Sequence, residues 1–275
     1  MRIKYLGTAA AEGIPALGCC CDICKEAWEK KGRWIRTRSQ SVIDDRLLID
    51  LPPDTYQHFI ANNMRLDKIR NVIVTHVHGD HFSTVEISMF RTGFYQVGDN
   101  WPGLVIWGTP DIAEPLQKMM DEKKTYPGLE YRVMKPYEQY EIDGYCVTPL
   151  KAHHGTDNPY NYIISDGESS ILYLHDSGWP FDETMEFLKA KGPFDLISYD
   201  CTFGCNQNTY ENHMGLGGDI KLRDEFLKTG IAGKDTIHVL NHFTHNAPGV
   251  NPEDIEEVAR QNGFVATYDN FEITT

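Results

Sequence analysis

Four strand-like apolar runs of this chain end in residues that bind metals. "NVIVT" leads into His76, His78, Asp80 and His81, "VTPLKA" into His153 and His154, "SILYL" into His175 and Asp176, and "TIHVLN" into His242 and His245. Functional side chains gather at the ends of core strands because rigid elements place them and the adjoining loops leave room for a ligand. Four such endings imply a fold that carries several buried strand ends to one place. The first ending is the densest. In an extended segment residues two apart point the same way, so His76 and His78 can grip one ion, while a tight turn at Gly79 would present Asp80 and His81 to a second. As caps or polar core residues, four ligand types in six positions beside an apolar strand have no good explanation.

The rest of the chain alternates short β-branched or aromatic runs with helix-like segments, without low-complexity linker or internal repeat. Strand candidates include "RIKYLGT", "SVIDDRLLIDL", "LVIWGT", "YEIDGYCVTPLKA", "YNYIISD", "DLISYD" and "FVATYDNFEI". Helix candidates include "PDTYQHFIANN", "DIAEPLQKMMDEKK", "DETMEFLKAK", the stretch after "HMGLGG", and "PEDIEEVARQN". Strands in two long blocks with helices between them predict an α/β chain with two sheets packed together and helices outside, one domain over residues 1–275. A length of 275 residues with 41% apolar content suffices for a sizeable core. The net charge of −14 leaves no basic surface for a long nucleic acid, so a polymeric substrate is disfavoured. The start "MRIKYLGTAAAEG" has no apolar stretch of signal-peptide length, and no later run of about 18 apolar residues suits a membrane span, which predicts a cytoplasmic protein. Four of the seven cysteines sit in "CCCDIC", too close together for a disulfide framework, and in a reducing compartment such a cluster points to metal.

His-X-His-X-Asp-His after a buried strand, followed by strand-end His, Asp and His, resembles the metallo-β-lactamase superfamily. The resemblance implies an αβ/βα sandwich, two mixed β-sheets flanked by helices, with a dinuclear site at the sheet edge. It implies that His76, His78 and His154 hold one metal, that Asp80, His81 and His242 hold the other, and that Asp176 bridges them. His154 is preferred to His153, which is left as a core histidine or a support for a ligand. "GTAAAEGIPALGCCCDIC" further resembles the PhnP-like branch of cyclic phosphodiesterases. That branch implies a structural zinc loop around residues 18–24, with Cys19, Cys21, Cys24 and His245 as ligands, a closed tetrahedral set. Cys20 is extra to the pattern, and Cys201 and Cys205 read as buried small side chains.

The function so implied is a metal-dependent hydrolase, a phosphodiesterase for a small cyclic phosphate or nucleotide-type diester. Its cofactors would be two divalent ions (Zn or Mn, or Fe) and one structural Zn, since imidazole and carboxylate accept all three metals. Two such ions bring a water's pKa near neutrality and polarise the phosphoryl group. Asp80 counts among the catalytic residues as well as the ligands. His213 in "ENHMG" corresponds to the Asn-His general acid of the branch, with Asp200 as its orienting acceptor. A non-catalytic carrier of the PqqB type, and a hydrolase of a non-phosphate ester or thioester, are the alternatives. A tRNA-processing nuclease with the same ligands would want a basic tRNA-gripping arm, which the acidic charge argues against. The aromatic and glycine-rich residues 91–103 suit a substrate-covering loop or a homodimer contact.

Overall fold

The computed structural model describes residues 1–96, 98, 101–122, 126–208 and 211–275. In chain order its strands are β1 (Arg2–Gly7), β2 (Gln40–Ile43), β3 (Leu47–Ile49), β4 (Asn71–Val74), β5 (Leu104–Gly108), β6 (Leu129–Val133), β7 (Tyr140–Ile142), β8 (Tyr145–Lys151), β9 (Tyr160–Ser165), β10 (Ser170–Leu174), β11 (Phe194–Asp200), β12 (Ala232–Asn241), β13 (Val265–Ala266) and β14 (Phe271–Thr274). The helices are α1 (Asp22–Lys30), α2 (Thr55–Ala61), α3 (Thr84–Met89), α4 (Ala113–Asp121), α5 (Asp182–Lys189), α6 (Leu216–Thr229) and α7 (Pro252–Gln261). One sheet runs β14-β1-β2-β3-β4-β5-β6 and the other β13-β12-β11-β10-β9-β8-β7. Both mix parallel and antiparallel pairs.

Three apolar clusters stack these elements into four layers, helices outside and sheets inside. Between the sheets lie Ile3, Ile49 and Ile73 of the first and Tyr162, Ile171 and Leu196 of the second. On the outer face of the first sheet Leu48, Val72 and Ile106 meet Phe59, Ile87 and Leu116 from α2, α3 and α4. On the outer face of the second, Leu172 and Ile197 meet Leu188, Phe226 and Ile255 from α5, α6 and α7. Strands buried on both faces read as continuous apolar runs, which is why "NVIV" and "ILYL" show no alternation. Among the described residues no helix is long and apolar enough to cross a membrane.

The expected αβ/βα layering is present, and the local differences have physical causes. "SVIDDRLLIDL" is not one strand, because Asp44 and Asp45 both take positive φ (48° and 56°) and turn β2 back on β3. Asp143 and Gly144 (55° and 83°) do the same between β7 and β8. "FVATYDNFEI" divides into β13 and β14, which join different sheets. The helix expected at 111–124 is a 3-10 turn at Pro110–Ile112 followed by α4, and Lys123 and Lys124 lie outside the described residues. Of the stretch 91–103, residues 97, 99 and 100 also lie outside them. Helix α1, which begins within the cysteine cluster and carries Cys24, was not among the helix candidates.

Candidate functional site

The C-terminal ends of β4, β8, β10 and β12 converge on one cavity at the rim where the sheets meet. Two backbone links close that rim: Tyr160 N–H donates to Thr75 O (2.8 Å) and Phe243 N–H to Thr8 O (2.9 Å). The cavity, about 430 Å³, is lined by His78, Asp80, His154, Asp176, His213 and His242, with Glu12 and Asn246 opposite. The His76 to His81 stretch is not extended, as β4 stops at Val74; His81 and Phe82 N–H both donate to His78 O, forming a turn. The turn does not depend on glycine. Gly79 has no positive φ, and a Cβ there would meet nothing within 4 Å.

The hydrogen bonds around the cavity decide which imidazole nitrogens are free. Thr75 Oγ1 donates to Asp50 (2.9 Å), so it accepts from His76 Nδ1–H (3.0 Å) and His76 Nε2 is left as a lone pair. His154 Nδ1–H donates to Asn212 O (3.1 Å), leaving its Nε2 likewise. Both lone pairs point at His78 Nδ1, at 3.0 and 3.1 Å. One proton on His78 cannot satisfy both. On the other side His81 Nδ1–H donates to Asp50 Oδ2 (2.7 Å), so its Nε2 faces Asp176 Oδ2 (2.8 Å), Asp80 Oδ2 (3.3 Å) and His242 Nε2 (3.3 Å).

Asp176 lies between the two groups. Its Oδ1 is 3.7 Å from His154 Nε2, and its Oδ2 is 3.1 Å from His242 Nε2. Oδ2 is buried, with His81 Nε2 at 2.8 Å beside it. The buried His76, His242 and Asp176 acceptors, beside the more open His78 and His154, favour positive charge among them. The titration behaviour says the same. Burial opposes charge on His81, yet Asp176 and Asp50 on either side raise its pKa well above the ordinary value. For His76 burial and its histidine neighbours press the pKa well below. Divalent-cation ligands fit this arrangement: the ligand atoms of His76, His78 and His154, of Asp80, His81 and His242, and of His76, His81 and Asp176 each lie within 4.8 Å of one another.

His213 stands at the cavity edge with Nδ1 2.8 Å from Asp200 Oδ2, and Asp200 is itself fixed by the N–H groups of Thr202 and Met214. Burial opposes charge on His213, but the Asp200 carboxylate outweighs it and raises the pKa to about 9. With Nδ1 engaged, Nε2 is the nitrogen that remains. His213 also falls within ligand distance of Asp176, Asp200 and His242. His153 is apart from the cluster: its ring packs on Phe181 and its Nδ1 meets Trp179 O. His175 lies beneath the site, bonded to Ser198 and tilted against the Tyr173 ring, and burial lowers its pKa to about 3.

A second group sits beside the first. Cys19 and Cys21 Sγ lie 3.6 and 3.4 Å from His245 Nδ1, and Cys24 completes a set within 4.8 Å. Tetrahedral zinc with bonds of about 2.3 Å to sulfur and about 2.1 Å to nitrogen separates S and N by about 3.6 Å. None of these cysteines is in a disulfide. Cys20 is exposed, while Cys201 and Cys205 bond separately to Gly204 O and Gly249 O.

Three residues of the site escaped the sequence reading. Asp50 orients His81 and anchors Thr75, and Thr202 Oγ1 bonds His242 Nδ1 at 2.8 Å. Asp50 ends β3 as Asp176 follows β10, and both take positive φ (67° and 49°), as does His242 (68°). The signal for Asp50 was the apolar run "LLI" before it.

Comparison with known proteins agrees with this geometry. The family model "Beta-lactamase superfamily domain" matches residues 45–228. An octanoyltransferase of Porphyromonas gingivalis is 26% identical over 198 residues, 69% of this chain and 37% of that protein. A ribonuclease Z of Listeria innocua is 24% identical over 178 residues, 62% of this chain and 52% of that protein. The chain thus spans about half the length, or less, of these curated relatives. Among solved structures, a diphosphatase from the PhnP family superposes with a TM-score of 0.75 at 20% identity over 100% of this chain and 97% of that one. Zn(2+)-bound PqqB from Methylobacterium extorquens gives 0.72 at 18% over 100% of both, and the short form of human tRNase Z 0.68 at 16% over 100% and 99%. These share the fold. The matched segment covers most of the chain and carries the cavity residues from His76 to His213, and the chain belongs to the beta-lactamase superfamily.

Proposed function

We propose that this protein is a metal-dependent phosphodiesterase of the PhnP-like kind, acting on a small cyclic or nucleotide-type diester. The observation that supports the reading is the convergence of His76, His78, Asp80, His81, His154 and His242 on the buried Asp176, with their ligand atoms in groups within 4.8 Å. His76, His78 and His154 would hold one divalent ion, Asp80, His81 and His242 a second, with Asp176 between the two groups. Such a pair of ions supplies Lewis acidity and a water whose pKa lies near neutrality. The chain's own residues do the rest. Asp50 and Thr75 fix the tautomers of His81 and His76, so that lone pairs face inward. His213, held as imidazolium by Asp200, delivers the Nε2 proton to the departing alkoxide. The cysteine set with His245 is read as a structural zinc site joining the loop before α1 to the end of β12, within one functional unit of residues 1–275. The charge of −14 favours a small substrate over a polymer.

The test is hydrolysis of bis(4-nitrophenyl) phosphate and of nucleoside cyclic phosphates by the Zn- or Mn-loaded protein, with metal counted. Asp80→Ala and His76→Ala should each lose one metal and nearly all turnover while circular dichroism is unchanged. Full turnover in either variant refutes the dinuclear mechanism, and full metal content without turnover of any diester moves the reading to a binding or carrier protein.

A further inference from the structure

A second cavity adjoins the catalytic one. It measures about 360 Å³, within the range of ligand-sized sites of about 300–1,000 Å³. Its lining mixes the apolar Ile14, Leu17 and Trp28 with the polar Arg36, Thr37 and Asp54. Glu12 lines both cavities. The same junction is crossed by Arg38, another lining residue, whose Nε donates to the carbonyl of Ala11 (2.7 Å) on the catalytic wall. The two cavities therefore abut along residues 11 and 12. Leu17 is 85% exposed and Trp28 49%, a large apolar cost at a rim unless something covers it.

The polar part of the lining is built, not incidental. Arg36 is buried, with Nη1 donating to Thr8 Oγ1 (3.0 Å) and Thr267 O (2.7 Å), so its guanidinium is fixed in place. Thr37 Oγ1 is held between Asp269 Oδ2 and His58 Nε2, both at 2.6 Å. Glu12 is fixed at the junction by Thr244 Oγ1 (2.7 Å) and Asn246 Nδ2 (3.1 Å). A carboxylate there accepts a hydroxyl and repels a second negative charge. A planar group with apolar faces and polar edges matches a lining that mixes apolar and polar side chains.

We propose that this cavity is the subsite for an aromatic heterocycle of nucleobase type, carried on the hydroxyl-bearing alcohol of the diester, with Glu12 at the sugar. The inference rests on the phosphodiesterase reading and narrows it to nucleoside substrates. Stacking on one aromatic side chain carries between about five- and a hundredfold in affinity, and Trp28 is the residue placed to supply it.

The experiment compares adenosine 2′,3′-cyclic phosphate with methyl riboside 2,3-cyclic phosphate, which has the same reacting group and no base. The metal-loaded wild type should favour the adenosine compound at least tenfold in kcat/KM. Trp28→Ala should collapse that ratio towards one, through KM for the adenosine compound. Leu17→Ser, at a position too exposed to disturb the core, should lower the ratio in part. Adenosine is titrated in parallel by isothermal calorimetry against the wild type and both variants, which separates the subsite from the chemistry. Turnover of both cyclic phosphates at equal kcat/KM overturns the subsite and leaves the phosphodiesterase standing. Binding of adenosine that is lost in Trp28→Ala, without hydrolysis of either compound, upholds the subsite and overturns the activity. A ratio unchanged in both variants, or neither binding nor hydrolysis, overturns the proposal.

Discussion

At the residue scale, the inward direction of lone pairs depends on side chains that never face the cavity. Asp50 is buried, accepts from Thr75 N–H, Thr75 Oγ–H and His81 Nδ1–H, and so sets two imidazoles at once. Asp50→Asn keeps its shape but turns an N–H towards His81, favouring the wrong tautomer. Metal affinity should fall about 10- to 100-fold with the fold intact, as isothermal titration with Zn against the wild type would show; an unchanged affinity would mean that His81 is oriented by packing alone. His213 invites a different test, since a general acid matters in proportion to the basicity of the leaving group. His213→Ala should lose on the order of 10²-fold or more in kcat on an alkyl ester and much less on a nitrophenyl ester. Equal losses, or a missing metal, would make His213 a ligand or a structural residue, which its distance to Asp176 and His242 also permits. The histidines were legible because they follow apolar runs. Asp50 was not, because "LLIDLPPD" reads equally as a strand followed by a helix cap, and the positive φ that aims Asp50, Asp176 and His242 leaves no mark in a non-glycine sequence.

At the element scale, α2 is tied to the first sheet by a line of polar contacts. Gln40 Nε2 donates to Asp50 O and Thr55 Oγ1, so its Oε1 accepts from His58 Nδ1–H (2.7 Å). His58 Nε2 then meets Thr37 Oγ1, which also touches Asp269. Gly7 at the end of β1 makes room for this: a Cβ would lie 2.0 Å from Arg38 O and 2.9 Å from His58 Cε1. Burial, opposed by Asp54, lowers the His58 pKa from 6.5 to about 4. Below pH 6.5 the unfolded chain binds a proton that the folded one refuses. Stability from this residue therefore falls as pH drops from 6.5 towards 4, by on the order of 3 kcal/mol. Asp269, raised by its burial to about 6, works oppositely: its destabilisation grows as pH rises from 3.8 to 6 and masks part of the slope. His58→Gln should be less stable at neutral pH but show a shallower loss of urea midpoint between pH 6.5 and 4. Parallel curves would show that His58 charges without cost. Element boundaries were legible where turns carry glycine or proline, and less so where aspartate supplies the left-handed turn, as between β2 and β3.

At the scale of the whole molecule, the site draws ligands from both halves of the sandwich. His76, His78, Asp80 and His81 follow β4 of the first sheet, and His154, Asp176 and His242 follow strands of the second. Ions held as proposed would connect the two sheets across their rim. The cysteine group makes a second connection, from the loop after β1 to His245 after β12, and that pairing was legible only through the family resemblance, because 221 residues separate Cys24 from His245. The two connections should be separable by removing Asp176. Burial opposes charge on Asp176, but His242 and His81 outweigh it and hold the carboxyl well below its ordinary value, so in the metal-free protein this charge is paired. Asp176→Asn should lower the metal-free melting temperature, because His81 loses a counter-charge, and should also remove most of the rise that Zn or Mn gives the wild type, since ligands that bind only the native state stabilise it by mass action. The zinc of the cysteine group should stay bound in this variant and resist a chelator, while Cys21→Ser should lose it and keep the response to the rim metals. Calorimetry with metal counted before and after chelation reads all of these. A full metal-induced rise in Asp176→Asn would show that Asp176 does not join the two ions and that the sheets are clamped by the histidines alone.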